Sequence, residues 1–122
     1  MYFKQRIGKL GEDLAYQYLQ KNNYKIIERN FTCRQGEIDI VAKDNRKKEL
    51  VLIEVKTRTN FKYGNPCEAV NKQKKKHIYY AGQYYIYKNR IKNIPIRLDV
   101  IEIYIKNGTY HINHIKNAFC EK

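Results

Sequence analysis

Eight residues, Leu50-Val-Leu-Ile-Glu-Val-Lys-Thr57, restrict the fold more than any other part of the chain. Aliphatic and β-branched side chains dominate the run, which favours a pleated strand over a helix. Strand side chains alternate between faces. Val51, Ile53 and Val55 therefore share one side, and Glu54 and Lys56 share the other. A strand of this kind belongs in a sheet that other elements cover, with part of one face kept polar.

The flanking segments supply the cover. Ile7, Leu10, Leu14, Ala15, Tyr18 and Leu19 recur at helical spacing, so residues Ile7 to Lys21 read as an amphipathic helix that ends at Asn22-Asn23. Strands are expected at Tyr24–Asn30 and Glu37–Ala42, joined by the turn Arg34-Gln35-Gly36, with Glu37 and Asp39 on one face and Ile38 and Ile40 on the other. Asp44 to Glu49 reads as a polar turn and Arg58 to Asn65 as a loop, with Pro66 at or before a helix start. A second helix is expected from Asn71, a candidate N-cap, to Tyr87. Beyond Pro95, strands at Ile96–Ile105 and Tyr110–Ile115 are connected by Asn107-Gly108, a strong hairpin signal. The order α-β-β-β-α-β-β implies an α/β fold, a central mixed sheet flanked by helices. With 122 residues and no linker-like tract, residues 1–122 are expected to form a single domain.

Charge gives the first functional indication. The formal net charge is +13, and a small domain so basic attracts phosphate polyanions. A composition rich in Lys, Asn, Ile and Tyr raises charge without any partner, so arrangement matters more than total. Lys72, Lys74, Lys75, Lys76 and His77 crowd one segment, and Lys4, Arg6 and Lys9 the N-terminus. No cationic segment has a clean apolar insertion face, which favours nucleic acid over a membrane surface. No stretch nears the roughly 18 apolar residues of a membrane span, and Met1-Tyr-Phe-Lys-Gln-Arg6 lacks the apolar run of a signal peptide. The expected location is the cytoplasm. Cys33, Cys67 and Cys120 form no C-x-x-C pair, and His111 and His114 read as surface histidines, so no zinc site is expected.

Chemistry is concentrated in Asp39 and, after fourteen intervening residues, Glu54-Val55-Lys56. If the strands ending at Ala42 and starting at Leu50 form a hairpin, the two carboxylates can converge into the hard-oxygen site that Mg²⁺ (or Mn²⁺) prefers. Lys56 beside them suits phosphodiester hydrolysis, where an ammonium holds the attacking water or neutralises charge on the phosphate. The blander account is a solvated strand face with an ion pair to Asp39. Glu12 falls at the edge of the first helix's apolar stripe and either faces Asp39 or is a surface acid of an early helical turn. Gln73, placed beside His77 and Tyr84, either orients a water or is an ordinary helix residue. Asp99 is expected to pair structurally with Arg97. Arg34, Arg58, Lys62, Lys72 and Lys76 are candidates for phosphate contacts, which position a nucleic acid without reading its sequence. Tyr79, Tyr80, Tyr84 and Tyr85 sit at helical spacing, which assigns most of them to core packing.

Gly8-Lys-Leu-Gly-Glu12, Gly36-Glu-Ile-Asp39, Ile53-Glu-Val-Lys56-Thr57-Arg58 and Arg97-Leu-Asp-Val100, in that order, resemble the YraN-like family of small bacterial proteins. That family is similar in turn to archaeal Holliday-junction resolvases and the PD-(D/E)xK nuclease superfamily. The resemblance spans Ile7 to Ile105. It implies a restriction-endonuclease-like core, metal ligands at Asp39 and Glu54 with Glu12 as a further acid, Lys56 as catalytic lysine and Gln73 as an auxiliary residue. Ile38 stands where the superfamily name places proline. The implied activity is metal-dependent endonucleolytic cleavage of DNA, branched DNA included, by a homodimer matched to a two-fold junction. A non-catalytic nucleic-acid-binding protein on the same scaffold is the alternative, and a docking protein for an acidic partner a third.

Overall fold

A computed structural model describes residues 2–59 and 72–118, with side chains from 6 to 59 and from 73 to 118. The expected loop after Thr59, Pro66, the Asn71 cap, Cys67, Cys120, Lys62 and the side chains of Lys4 and Lys72 lie outside the described residues. The elements are α1 (Tyr2–Lys21), β1 (Tyr24–Cys33), β2 (Gly36–Asp44), β3 (Glu49–Arg58), α2 (Lys72–Lys88), β4 (Ile96–Lys106) and β5 (Thr109–Ile115). Their order is the one expected, and the fold is α/β. Helix α1 starts five residues before Ile7, and most strands run a little longer than their apolar cores. No helix among the described residues is long and apolar enough to cross a membrane.

The five strands form one sheet in the order β1-β2-β3-β4-β5. Adjacent strands are antiparallel except β3 and β4, which are parallel. Parallel neighbours require a crossover, and α2 lies on that connection. Asn107 and Gly108 both take positive φ, 50° and 78°, as the tight β4–β5 hairpin demands.

Alternation along β3 divides the core. Val51 and Ile53 pack with Ile40, Ala42, Ile101 and Ile103 against Ala15 and Leu19 of α1. Leu50 and Leu52 pack with Phe31, Ile38 and Val41 against Ala81 and Tyr85 of α2. The helices thus cover opposite faces of the sheet. Gly11 brings α1 close to it, because a methyl group there would collide with the Thr57 side chain.

One expectation about faces is corrected. Ile38 and Ile40 were expected on the same side, yet Ile38 belongs to the α2 core and Ile40 to the α1 core. The alternation slips at Asp39. Across the ladder, β1 carries its own irregularity at Asn30, whose φ is 55°, and Asn30 and Asp39 are both missing from the β1–β2 register. Asn tolerates the left-handed region that most side chains avoid. A strand that visits this region re-aims its next residues, as at a bulge.

At the far end of the α1 face lies a buried charge network. Arg97 donates from Nε and Nη2 to Asp99 at 3.0 and 2.9 Å, from Nη1 to Asp44 and Glu49 at 3.0 and 2.7 Å, and from Nη2 to the Tyr24 hydroxyl at 2.7 Å. Asp99 also lies 2.7 Å from His114 Nε2 and accepts from the Asn117 N–H at 3.0 Å. Burial pushes the Asp99 carboxyl up, but its His114, Arg97 and Asn117 partners outweigh that and hold it below the usual range. The expected Arg97–Asp99 pair is therefore present. His114 is not a surface residue: its side chain is 5% exposed, with Nδ1 2.9 Å from the Tyr18 hydroxyl.

Arg97→Met should cost about 3–5 kcal/mol, because it strands buried carboxylates without their cation. Urea unfolding at neutral pH checks this. The loss should shrink as pH falls into the carboxylate range, where the stranded acids take up protons.

Candidate active site

The ladder between β2 and β3 ends at Ile40 and Ile53. One further step would set Asp39 opposite Glu54, but the strands fork instead. Asp39 Oδ2 accepts a hydrogen bond from the Val55 backbone N–H at 2.8 Å. Ladder N–H groups lie in the plane of a sheet, so this carboxylate sits between the diverging strands. A cavity of about 510 Å³ opens at the fork, lined by Ile7, Glu12, Asp39, Val55, Lys56 and Thr57 among others. Sequence-distant residues meet here: α1 contributes Ile7, Gly8 and Glu12, β2 its acid and β3 its polar half.

Glu54 and Lys56 share a face, as alternation requires. Glu54 is only 6% exposed in its side chain, and its Oε2 lies 3.5 Å from Lys56 Nζ and 3.5 Å from Lys74 Nζ. Its Oε1 is buried without a hydrogen-bond partner among the described residues. A buried carboxylate oxygen of this kind is costly to leave unsatisfied, which makes it a natural position for a cation.

Burial, then the nearby Glu54 charge, push Asp39 up to about 7. The Val55 N–H pulls the other way, and Glu12 and Glu37 add to the rise. Asp39 therefore senses both other candidate acids. Acids that repel one another in a partly dry site form the electrostatic counterpart of a divalent cation. Carboxylate oxygens are also the donors that Mg²⁺ and Mn²⁺ accept. On both counts Asp39 and Glu54 fit a hard cation.

Glu12 lines the cavity, but its Oε1 is 3.1 Å from Arg29 Nη2, a group that also holds Asp13 at 2.8 Å. Among the described residues no three His, Cys, Asp or Glu side chains form a cluster able to hold a metal ion. Gln73 is exposed and lines a separate groove with Lys76, His77 and Tyr80. Lys74, its neighbour, makes the contact with Glu54, and helical phase decides between them. Arg34 is exposed in the β1–β2 turn and Lys76 is exposed on α2. Arg58 is held with its Nε 3.4 Å from the buried Glu102.

Two residues of this region carried little signal in the sequence. Lys74 is one lysine of three in a row. Glu102 pairs in register with Lys56 across the parallel β3–β4 ladder, and accepts hydrogen bonds from Tyr104 and Asn113 at 2.7 and 3.2 Å. An acid inside the apolar run Val100-Ile-Glu-Ile103 was the clue to it.

The raised Asp39 pKa makes a stability prediction. The folded state keeps a proton that the unfolded chain releases near 3.8, so the metal-free protein should lose stability as pH rises from there to about 7, with no further loss from this group above it. Asp39→Asn keeps an acceptor for Val55 and removes the charge. It should raise the metal-free Tm most at pH 8, by less at pH 5 and not at pH 3, in thermal melts with EDTA.

Comparison with known proteins places the chain in a family. A family model described as "Uncharacterised protein family UPF0102" matches residues 11–103. A UPF0102 protein of Clostridioides difficile strain 630 is 47% identical over 112 residues, covering 92% of this chain and 95% of the relative. One from Caldicellulosiruptor saccharolyticus is 42% identical over 118 residues, covering 95% and 98%. One from Clostridium botulinum strain 657 is 48% identical over 121 residues, covering 97% of each. With the fork, its acids and its lysine lying inside a family match of this extent, the chain belongs to the UPF0102 family, the YraN-like group that its motifs resemble.

Proposed function

We propose that this protein is a metal-dependent endonuclease of the restriction-endonuclease-like type, acting on DNA. The observation that carries the reading is the forked strand pair, where Asp39 and Lys56 line one cavity and Glu54, its Oε1 buried without a hydrogen-bond partner among the described residues, lies 3.5 Å from Lys56. Asp39 and Glu54 would hold a Mg²⁺ or Mn²⁺ ion, and Glu12, engaged by Arg29, would act from outside the ligand set. When bound, such an ion supplies an activated water and charge stabilisation at the phosphate. Asp39 would have to be ionised to hold such an ion, so adding Mg²⁺ or Mn²⁺ should release protons below about pH 7.

The chain's own groups do the remaining work. Lys56 reaches both the cavity and Glu54, where its ammonium can orient a water or neutralise a phosphate oxygen. Lys74 supplies a second positive charge at Glu54. Arg34 and Lys76, both exposed, are available for backbone phosphates. Branched DNA suits a sequence with no helix-turn-helix, zinc-finger or RNP signature, and a two-fold junction would bring a homodimer with it.

One observation favours binding without hydrolysis. The Glu54 carboxylate already faces two lysines, and the described acids form no ready ligand cluster.

Purified protein incubated with junction, flap and blunt duplex DNA in Mg²⁺ or Mn²⁺ separates the two readings. Cleavage is expected to fall by about 100-fold or more in Asp39→Asn, Glu54→Gln and Lys56→Met. Undiminished cleavage in these variants would defeat the site assignment. Salt-sensitive binding without cleavage in either metal would leave the binding protein instead.

A further inference from the structure

Helix α2 departs from its expected role as a source of core tyrosines. Of the four tyrosines expected mainly to pack, Tyr85 is buried, whereas Tyr79, Tyr80 and Tyr84 are 52%, 50% and 39% exposed, and Tyr87 beyond them 79%. Lys76, Tyr80, Tyr84 and Tyr87 succeed one another at intervals of four, four and three, which places them on one helical face. The rings do not stand alone. Lys76 shares a groove with Tyr80, and Lys88, Arg90 and Lys92 share another with Tyr84 and Tyr87. No acidic residue occurs between Glu68 and Asp99. The result is a helix about 25 Å long whose outer face carries aromatic rings with cations at either end. Its first turn carries Lys74, the residue that touches Glu54.

We infer that the outer face of α2 binds an unpaired segment of nucleic acid, the tyrosine rings stacking on bases and the flanking lysines and arginine contacting phosphates. Exposed aromatic rings gain nothing from a rigid duplex, whose bases are already stacked. A single strand offers π faces to every ring and a phosphate beside each base, a combination that recurs in proteins binding single strands without sequence preference. A second copy of this chain is the poorer occupant, because two such faces would bring cation against cation with no acid to relieve it. The inference deepens the proposed function by naming a substrate with an unpaired segment. It rests on nucleic acid as the ligand and does not depend on hydrolysis.

The test uses the full chain in EDTA, where no metal-dependent cleavage occurs. The probes are a fluorescein-labelled oligo-dT 15-mer and a blunt duplex of equal length, each monitored by anisotropy at fixed salt. Tyr80→Ala/Tyr87→Ala should weaken oligo-dT binding by about 10-fold or more, and leave duplex binding within about twofold. Tyr80→Phe/Tyr87→Phe should retain the single-strand affinity, since the ring remains. Lys76→Ala should weaken both probes and flatten the salt dependence. Circular dichroism establishes that each variant folds. Unchanged oligo-dT binding in the alanine variant, or equal losses on both probes, would overturn the inference. So would a concentration-dependent dimer of the parent protein that the alanine variant abolishes in sedimentation. Cleavage in Mg²⁺ with tyrosine-independent binding sinks this inference alone. Tyrosine-dependent binding without cleavage sinks only the nuclease.

Discussion

Arg97 is the point at which most of the fold is tied together. Its guanidinium reaches Asp99 on its own strand, Asp44 at the end of β2, Glu49 at the start of β3 and Tyr24 at the start of β1. Asp99 carries the connection to His114 on β5, and His114 to Tyr18 on α1. Buried ions need near-complete compensation, so this set of partners tolerates few alternative arrangements. It helps fix the parallel register of β3 and β4, and that register places Lys56 beside Glu102 at the opposite end of the sheet.

That opposite end is where regular structure gives way. A fully paired β2–β3 ladder would bury Asp39 beneath a regular ladder and leave no cavity. The left-handed Asn30, the face change at Asp39 and the Val55 N–H diverted to a side chain open the fork together. Irregular sheet geometry beside acidic groups is a common way to re-aim a functional side chain. The close seat of α1, permitted by Gly11 against Thr57, brings Glu12 over the same opening.

The electrostatics run against the overall charge. A chain of net charge +13 gathers Asp39, Glu54 and Glu12 near one another closely enough to raise the Asp39 pKa. Exposed cations lie along α2, in the turns joining β1 to β2 and β2 to β3, and on α1, where Lys9 shares a groove with Glu12. Mutual repulsion among acids in such a basic protein is a local choice of the fold. A polyanion attracted by the basic surface would still need a cation to approach this centre.

Much of this was readable in the linear order of residues. The element order, the placing of Val51, Ile53 and Val55 on one side of β3 with Glu54 and Lys56 on the other, and the Asn107-Gly108 turn all derive from short-range patterns in the sequence, whereas which helix covers each side does not. Other features depend on contacts between residues far apart in the chain, which no local pattern encodes. The slip at Asp39 arises with a backbone conformation on the neighbouring strand. The capture of Glu12 by Arg29, the approach of Lys74 rather than Gln73 to Glu54, and the burial of His114 each depend on how a helix or strand docks. The same physics turned the tyrosines of α2 outward: its spacing permitted two faces, and only packing against Phe31 and Leu52 decided that Ala81 and Tyr85 would be the buried one.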